Sequence, residues 1–143
     1  MPLTTDIQWI WPPNYDGNPP ANGGFKEVTL HLTGVALSVS ASGEEETDVV
    51  KLDISELRKV NGDIPTRTVV KYLSWDISGL KNVILEWDRA PDKVIAVLSE
   101  RGEIKHGIVD ESDGTDGTGD IMLSTNGVAL GSSYDIMMTV GLK

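Results

Sequence analysis

The stretch "VDESDGTDGTGDIML", residues 109–123, places Asp110, Glu111, Asp113, Asp116 and Asp120 in one glycine-rich segment with no basic residue. Calcium takes six to eight oxygen ligands, and an EF-hand loop supplies them at alternating positions that end in a bidentate glutamate. Counting from Asp113, the alternate positions hold Thr115 and Gly117; counting from Asp110, they hold Ser112 and Gly114. Neither register fits, so the stretch reads as a turn between two strands and no cofactor is expected. A looser calcium site built from Asp110, Asp113, Asp116 and Asp120 is the alternative.

The other chemistry-bearing residues are scattered. Glu86 and Asp88 are two residues apart on one strand and point to the same side, whereas a glycosidase needs two carboxylates on opposite sides of a sugar. They read as solvent-facing partners of Lys93 and its neighbours. His31 and His106 are far apart and carry no metal-ligand spacing. No serine stands in a glycine elbow, and no glycine-rich loop runs into lysine and serine or threonine. No nucleophile, base and orienting group can be assembled, so no enzyme is expected.

The totals narrow the class further. At 143 residues the chain is long enough for one domain with a core of its own, and it has no cysteine to form a disulfide or thiolate site. A net charge of −10, from 22 acidic and 12 basic residues, repels phosphate backbones and anionic lipid. Nucleic acid and membrane are therefore not expected partners. The N-terminal residues lack a basic segment followed by an apolar one, so no signal peptide is expected.

The elements that must position these groups are strands. Residues 1–24 form an extended arm rich in proline, asparagine and glycine, with Trp9, Trp11, Pro12, Pro13 and Tyr15 as its partner-binding candidates. An arm folded back on its own domain is the other reading. Residues 25–143 form the β domain. In "FKEVTLHLTGVALSVS", a turn at Thr33-Gly34 sets Leu32 against Val35, Leu30 against Leu37 and Val28 against Val39, which predicts a hairpin. The one plausible helix, of one or two turns, is capped by Asp53 or Ser55, has Leu57 and Val60 inward, and stops at Asn61-Gly62.

Further on, Val69, Leu73, Trp75 and Ile77 alternate on one face with Lys71 as a misfit. A loop at 89–92 sets Asp88 against Lys93, Trp87 against Val94, Leu85 against Ala96 and Val83 against Leu98. A weaker strand lies around Ile104 to Val109. Tyr134, Ile136, Met138, Val140 and Leu142 share one face of the last strand, with "DIMLST" as its partner and the chain ending inside the sheet. Trp75 and Trp87 follow the apolar stripes and read as core. Short strands at regular spacing indicate an all-β, antiparallel sandwich of jelly-roll type.

Residues 119–143, "GDIMLSTNGVALGSSYDIMMTVGLK", resemble the endings of small tailed-phage virion proteins. In those a "GDI-x-L-x-T-x-G" strand and a glycine turn lead into a "YDI-x-x-x-V" strand. The aromatic Pro/Asn/Gly arm before a small acidic β domain also looks like capsid decoration (cement) proteins. The resemblance implies a non-enzymatic, β-rich virion component, assembled in the host cytoplasm, forming homo-oligomers and binding a major capsid protein or another virion protein through its arm. A tail, neck or fibre part, and a carbohydrate-binding or adhesin module with tryptophan platforms, are the competing readings.

Overall fold

The structure is a computed structural model and describes residues 3–13, 15, 23–37 and 45–143. Ten strands are present among them: β1 (Thr4–Trp11), β2 (Glu27–Val35), β3 (Val49–Leu52), β4 (Thr68–Ser78), β5 (Asn82–Trp87), β6 (Lys93–Leu98), β7 (Arg101–Ile104), β8 (Ile108–Val109), β9 (Ile121–Asn126) and β10 (Ser133–Leu142). Every pairing is antiparallel. The first sheet runs β1-β2-β10-β4-β7, with β8 also on β4, and the second runs β3-β9-β5-β6. The two layers enclose one core, which includes Val28, Leu30, Leu32, Leu73, Leu85, Trp87, Leu123, Ile136 and Met138. The protein is an all-β sandwich, as the alternation of apolar residues requires.

The last strand is central, hydrogen-bonded to β2 on one side and β4 on the other. Tyr134, Ile136, Met138 and Val140 are buried along it, and Leu142 packs at the core's margin. Its expected partner is elsewhere: "DIMLST" lies in β9, which pairs with β3 and β5 in the opposite sheet. Residues 127–132 therefore cross between layers and do not close a hairpin.

The expected hairpin at Thr33-Gly34 is also absent. Strand β2 continues through both residues, and Gly34 pairs with Thr5 and Tyr134. A Cβ on Gly34 would lie 2.4 Å from the Tyr134 ring. The glycine is there because an aromatic ring covers it, which is the usual meaning of glycine inside a strand. Leu37 is exposed, and Val39 lies outside the described residues.

Bulges account for the other departures. In β4, Tyr72 pairs with Thr139 but Val70 pairs with Val140, so one residue is skipped at Lys71. The skip changes which parity faces inward, as one extra residue must. Val70 and Thr68 join Leu73 on the buried side, Val69 stays outside the core cluster, and Lys71 reaches Glu27 at 3.0 Å. Between β5 and β6, Val83–Leu98 and Leu85–Ala96 pair as expected, but a shift at Ile95 sets Trp87 against Lys93. The short helix is a single 3-10 turn, Ile54–Glu56, capped by the Asp53 carboxylate accepting from Ser55 N. Leu57 is buried, whereas Val60 is exposed.

Candidate functional site

The acidic segment folds around one arginine. Arg89 Nη2 and Nε donate to Asp110 Oδ2 at 2.6 and 3.1 Å, and both side chains are fully buried. Arg89 Nη2 also donates to Thr66 O at 2.8 Å and Nη1 to Asp116 O at 3.4 Å. Asp110 Oδ1 accepts from Ser112 N at 3.1 Å, so both of its oxygens are used. Gly119, with φ +77°, lets the backbone pass the guanidinium, where a Cβ would sit 2.7 Å from Nη2. The segment is tied to the end of β5 through Asp88 N to Asp120 O and Gly119 N to Asp88 O.

The remaining carboxylates of the segment do separate tasks. Asp120 Oδ1 accepts from Ile54 N at 3.0 Å, holding the 3-10 turn, and burial raises its carboxyl above the ordinary aspartate range. Asp113 caps a turn by accepting from Thr115 Oγ1 and N, and these bonds lower its carboxyl. Asp116 accepts from Ser112 Oγ. Among the described residues no group of three or more His, Asp or Glu is placed to hold a metal ion. Asp110, Asp113, Asp116 and Asp120 are brought near one another by the turn but aim at different partners.

The arm residues separate. Among the described residues strand β1 is an edge strand paired only with β2. Trp9 lies in register with Leu30, packs against the core, and meets Tyr15 in a tilted pair with ring centroids 4.8 Å apart; Tyr15 meets Phe25 edge-on at 5.8 Å. Tyr15 OH donates to Glu56 O. A shift at Ile10 then puts Trp11 across from Thr29, on the opposite face, where it is 55 % exposed. Pro12 is half-buried and Pro13 exposed. Most of the segment that follows lies outside the described residues.

The two outer faces of the sandwich differ. On the first sheet the outward rows are polar and mostly neutralised in place: His31 Nε2 meets Asp135 at 2.6 Å, Arg101 meets Asp76 at 2.9 Å, and Tyr72 OH donates to Glu103 at 3.1 Å. A depression of about 540 Å³ lies here, lined by Ser74, Trp75, Asp76, Arg101, Glu103 and Asp135. The Trp75 indole belongs to the interior layer, half-buried under Gly102 and donating from Nε1 to Ser99 O. Trp87 is core, its Nε1 donating to Thr68 Oγ1.

On the second sheet the outward row is Val50, Met122, Glu86 and Val94, one residue from each strand, and the next row holds Ser124, Ile84 and Val97. Burial first, then the nearby carboxylates of Asp48 and Asp92, raise the Glu86 carboxyl. Among the described residues no lysine, arginine or histidine forms an ion pair with Glu86, Asp48 or Asp92. Alternation gives each strand a single apolar side, so a second apolar face does not show in it. The signal was available in "VIAVL", residues 94–98, an unbroken apolar run that cannot be amphipathic. Lys93 does not serve Glu86; it stands across from Trp87, at the mouth of the hairpin. Asp88 accepts from Thr118 Oγ1 at 2.8 Å.

Compared with known proteins, the chain matches no family model, no curated protein and no solved structure.

Proposed function

We propose that this chain is a non-enzymatic structural protein of a tailed-phage particle, of the capsid-decoration type, which attaches to the shell through its N-terminal strand. The observation that carries the reading is the outer edge of β1, which pairs with no further strand among the described residues. Natural sheets blunt their edges with short strands, bulges, lysine or proline, because an open edge is a template for another chain. Three edges here follow that rule: β7 and β8 have four and two residues, β3 is interrupted at Lys51, and β6 opens on Lys93 and bulges at Ile95. Strand β1 is also shifted once, at Ile10, but it runs eight residues with one charge, Asp6, and no lysine or proline, and it leaves Ile7, Ile10 and Trp11 exposed. A strand added there gains main-chain hydrogen bonds along the edge and an aromatic anchor at its end.

The likeness of residues 119–143 to phage virion endings supports the particle setting, and repeated copies would turn a modest edge contact into high avidity. Quantitative mass spectrometry of sedimented particles from the native source tests the reading: a copy number comparable to a major shell protein is expected, and absence from every particle would overturn it. Ile10→Ser with Trp11→Ala should lower particle occupancy about ten-fold or more while the domain stays folded. Trp9 is unsuitable for that test because it packs on its own core.

A second reading, a carbohydrate-binding module, draws on the polar depression of the first sheet, whose Asp76–Arg101 and His31–Asp135 pairs offer fixed donors and acceptors to hydroxyl groups. Saturable tryptophan fluorescence changes with oligosaccharides, lost in Arg101→Ala, would favour it.

A further inference from the structure

Strand β3 is skipped at Lys51, so that Lys51 and Leu52 are both buried. Its lysine turns inward, where Lys51 Nζ meets Glu46 at 2.8 Å and both side chains are buried, while Val50 faces out. Glu46 is held from its other side by Tyr134 OH at 2.5 Å, and its backbone N–H donates to Thr125 Oγ1. Burying a lysine and a glutamate costs several kcal/mol per ion unless they are fully paired. Exposing a valine in their place gains nothing while the face stays in water. Only a partner that covers the outward face would take Val50 out of water.

The neighbouring strands repeat the pattern. Val94 and Val97 on β6 are 55 % and 58 % exposed and Val50 on β3 is 44 % exposed; between them Met122 is buried and Ile84 half-buried, so the two adjoining rows are open mainly at Val50, Val94 and Val97. Glu86 stands inside the first row. Asp48, fixed by its backbone N–H and carboxylate on Ser124 Oγ at 2.9 and 3.3 Å, closes the second row at the β3 edge. Asp92 lies within electrostatic reach beyond the other edge. Asp48 and Asp92 both repel the Glu86 carboxylate, Asp48 from hydrogen-bonding distance, and the one lysine of β3 has been taken inside.

We infer that the outer face of the second sheet docks a partner protein that presents a lysine or arginine ringed by apolar side chains. The apolar rows take the ring, and Glu86 with Asp48 takes the cation, which a desolvated interface rewards when the potentials are complementary. A second copy of this chain does not fit. It would bring the same three acids to the same place, and like-charge juxtaposition costs several kcal/mol. The surface is distinct from the β1 edge, which belongs to the other sheet. The inference rests on the particle reading only in making the partner a shell protein.

Site-directed photo-crosslinking in the cells that naturally make the protein tests it. The full chain carries p-benzoylphenylalanine in place of Val97, with the same group in place of Thr33, on the first sheet's outer face, as control. The expected result is a cross-link from position 97, and none from 33, to a different protein, through a peptide holding a lysine or arginine beside apolar residues. Glu86→Lys should cut the cross-link about ten-fold or more, and Glu86→Asp should retain most of it. Val94→Asp gives the same readout should Glu86→Lys fail to fold. No cross-link from position 97, a cross-link to a second copy, or one indifferent to both Glu86→Lys and Val94→Asp would overturn the inference. A partner of the stated chemistry that belongs to no particle would keep this inference and sink the particle reading. Full particle occupancy without a cross-link would do the reverse.

Discussion

Asp110 and Glu86 are both acids held away from water, and the protein treats them in opposite ways. Asp110 is completely buried, yet Arg89 and the Ser112 amide satisfy both of its oxygens. Glu86 is only half-buried, yet the charged groups that shift its carboxyl are two further carboxylates. Depth of burial therefore does not separate the structural acid from the candidate binding acid. Compensation does. An acid paired inside its own chain has its work done, whereas one surrounded by valines and other acids is short of a cation.

The sharpest way to break this contrast is to remove the compensation. Arg89→Met would leave Asp110 buried and unpaired, and should cost about 3–5 kcal/mol of unfolding free energy by urea titration. Replacing Asp110 with leucine in the same chain should recover much of that loss. A single-variant cost below about 1 kcal/mol would mean that Arg89 does not organise the acidic segment.

Glu86→Gln should move stability by no more than about 0.5 kcal/mol at neutral pH, and towards greater stability. Its larger signature is in the pH profile. Because the folded chain holds the Glu86 proton more tightly than the unfolded chain does, stability from this group is present in acid and is lost as the pH rises above 4.5. Asp120 acts in the same direction. Melting curves across that window should show a shallower decline in Glu86→Gln than in the parent, and an unchanged slope would remove Glu86 as a source of strain. The smallest effect concerns calcium. With Asp110, Asp113, Asp116 and Asp120 each aimed at a separate partner, millimolar calcium should leave the melting temperature unchanged. A clear rise would restore a cation site to residues 110–120.

Much of the architecture was legible because it is written locally. A period of two in hydrophobicity marks a half-buried strand wherever it stands, so β2, β5 and β10 announce their inward residues, and Asp53 announces its cap. The candidate docking face was legible only in β6, where the apolar run leaves no polar side. Its Val50–Met122–Glu86–Val94 row exists because four strands distant in sequence are placed in one register.

By itself, then, the order of residues determined the fold class and the inward parity of strands such as β2, β5 and β10, since these follow from backbone sterics and side chains a few residues apart. It did not place every strand, for the turn expected at Thr33-Gly34 lies inside β2 and residues 4–11 of the expected arm form β1. Tertiary structure decided the rest. Alternation states which face is apolar but not which strand lies alongside, so β10 sits between β2 and β4 while β9 joins the other sheet. One skipped residue at Lys51, Lys71 or Ile95 reverses or shifts a face, and the choice is made by the packing of the whole sheet. The partner of Asp110 is likewise an arginine 21 residues away, joined to it only when both layers close.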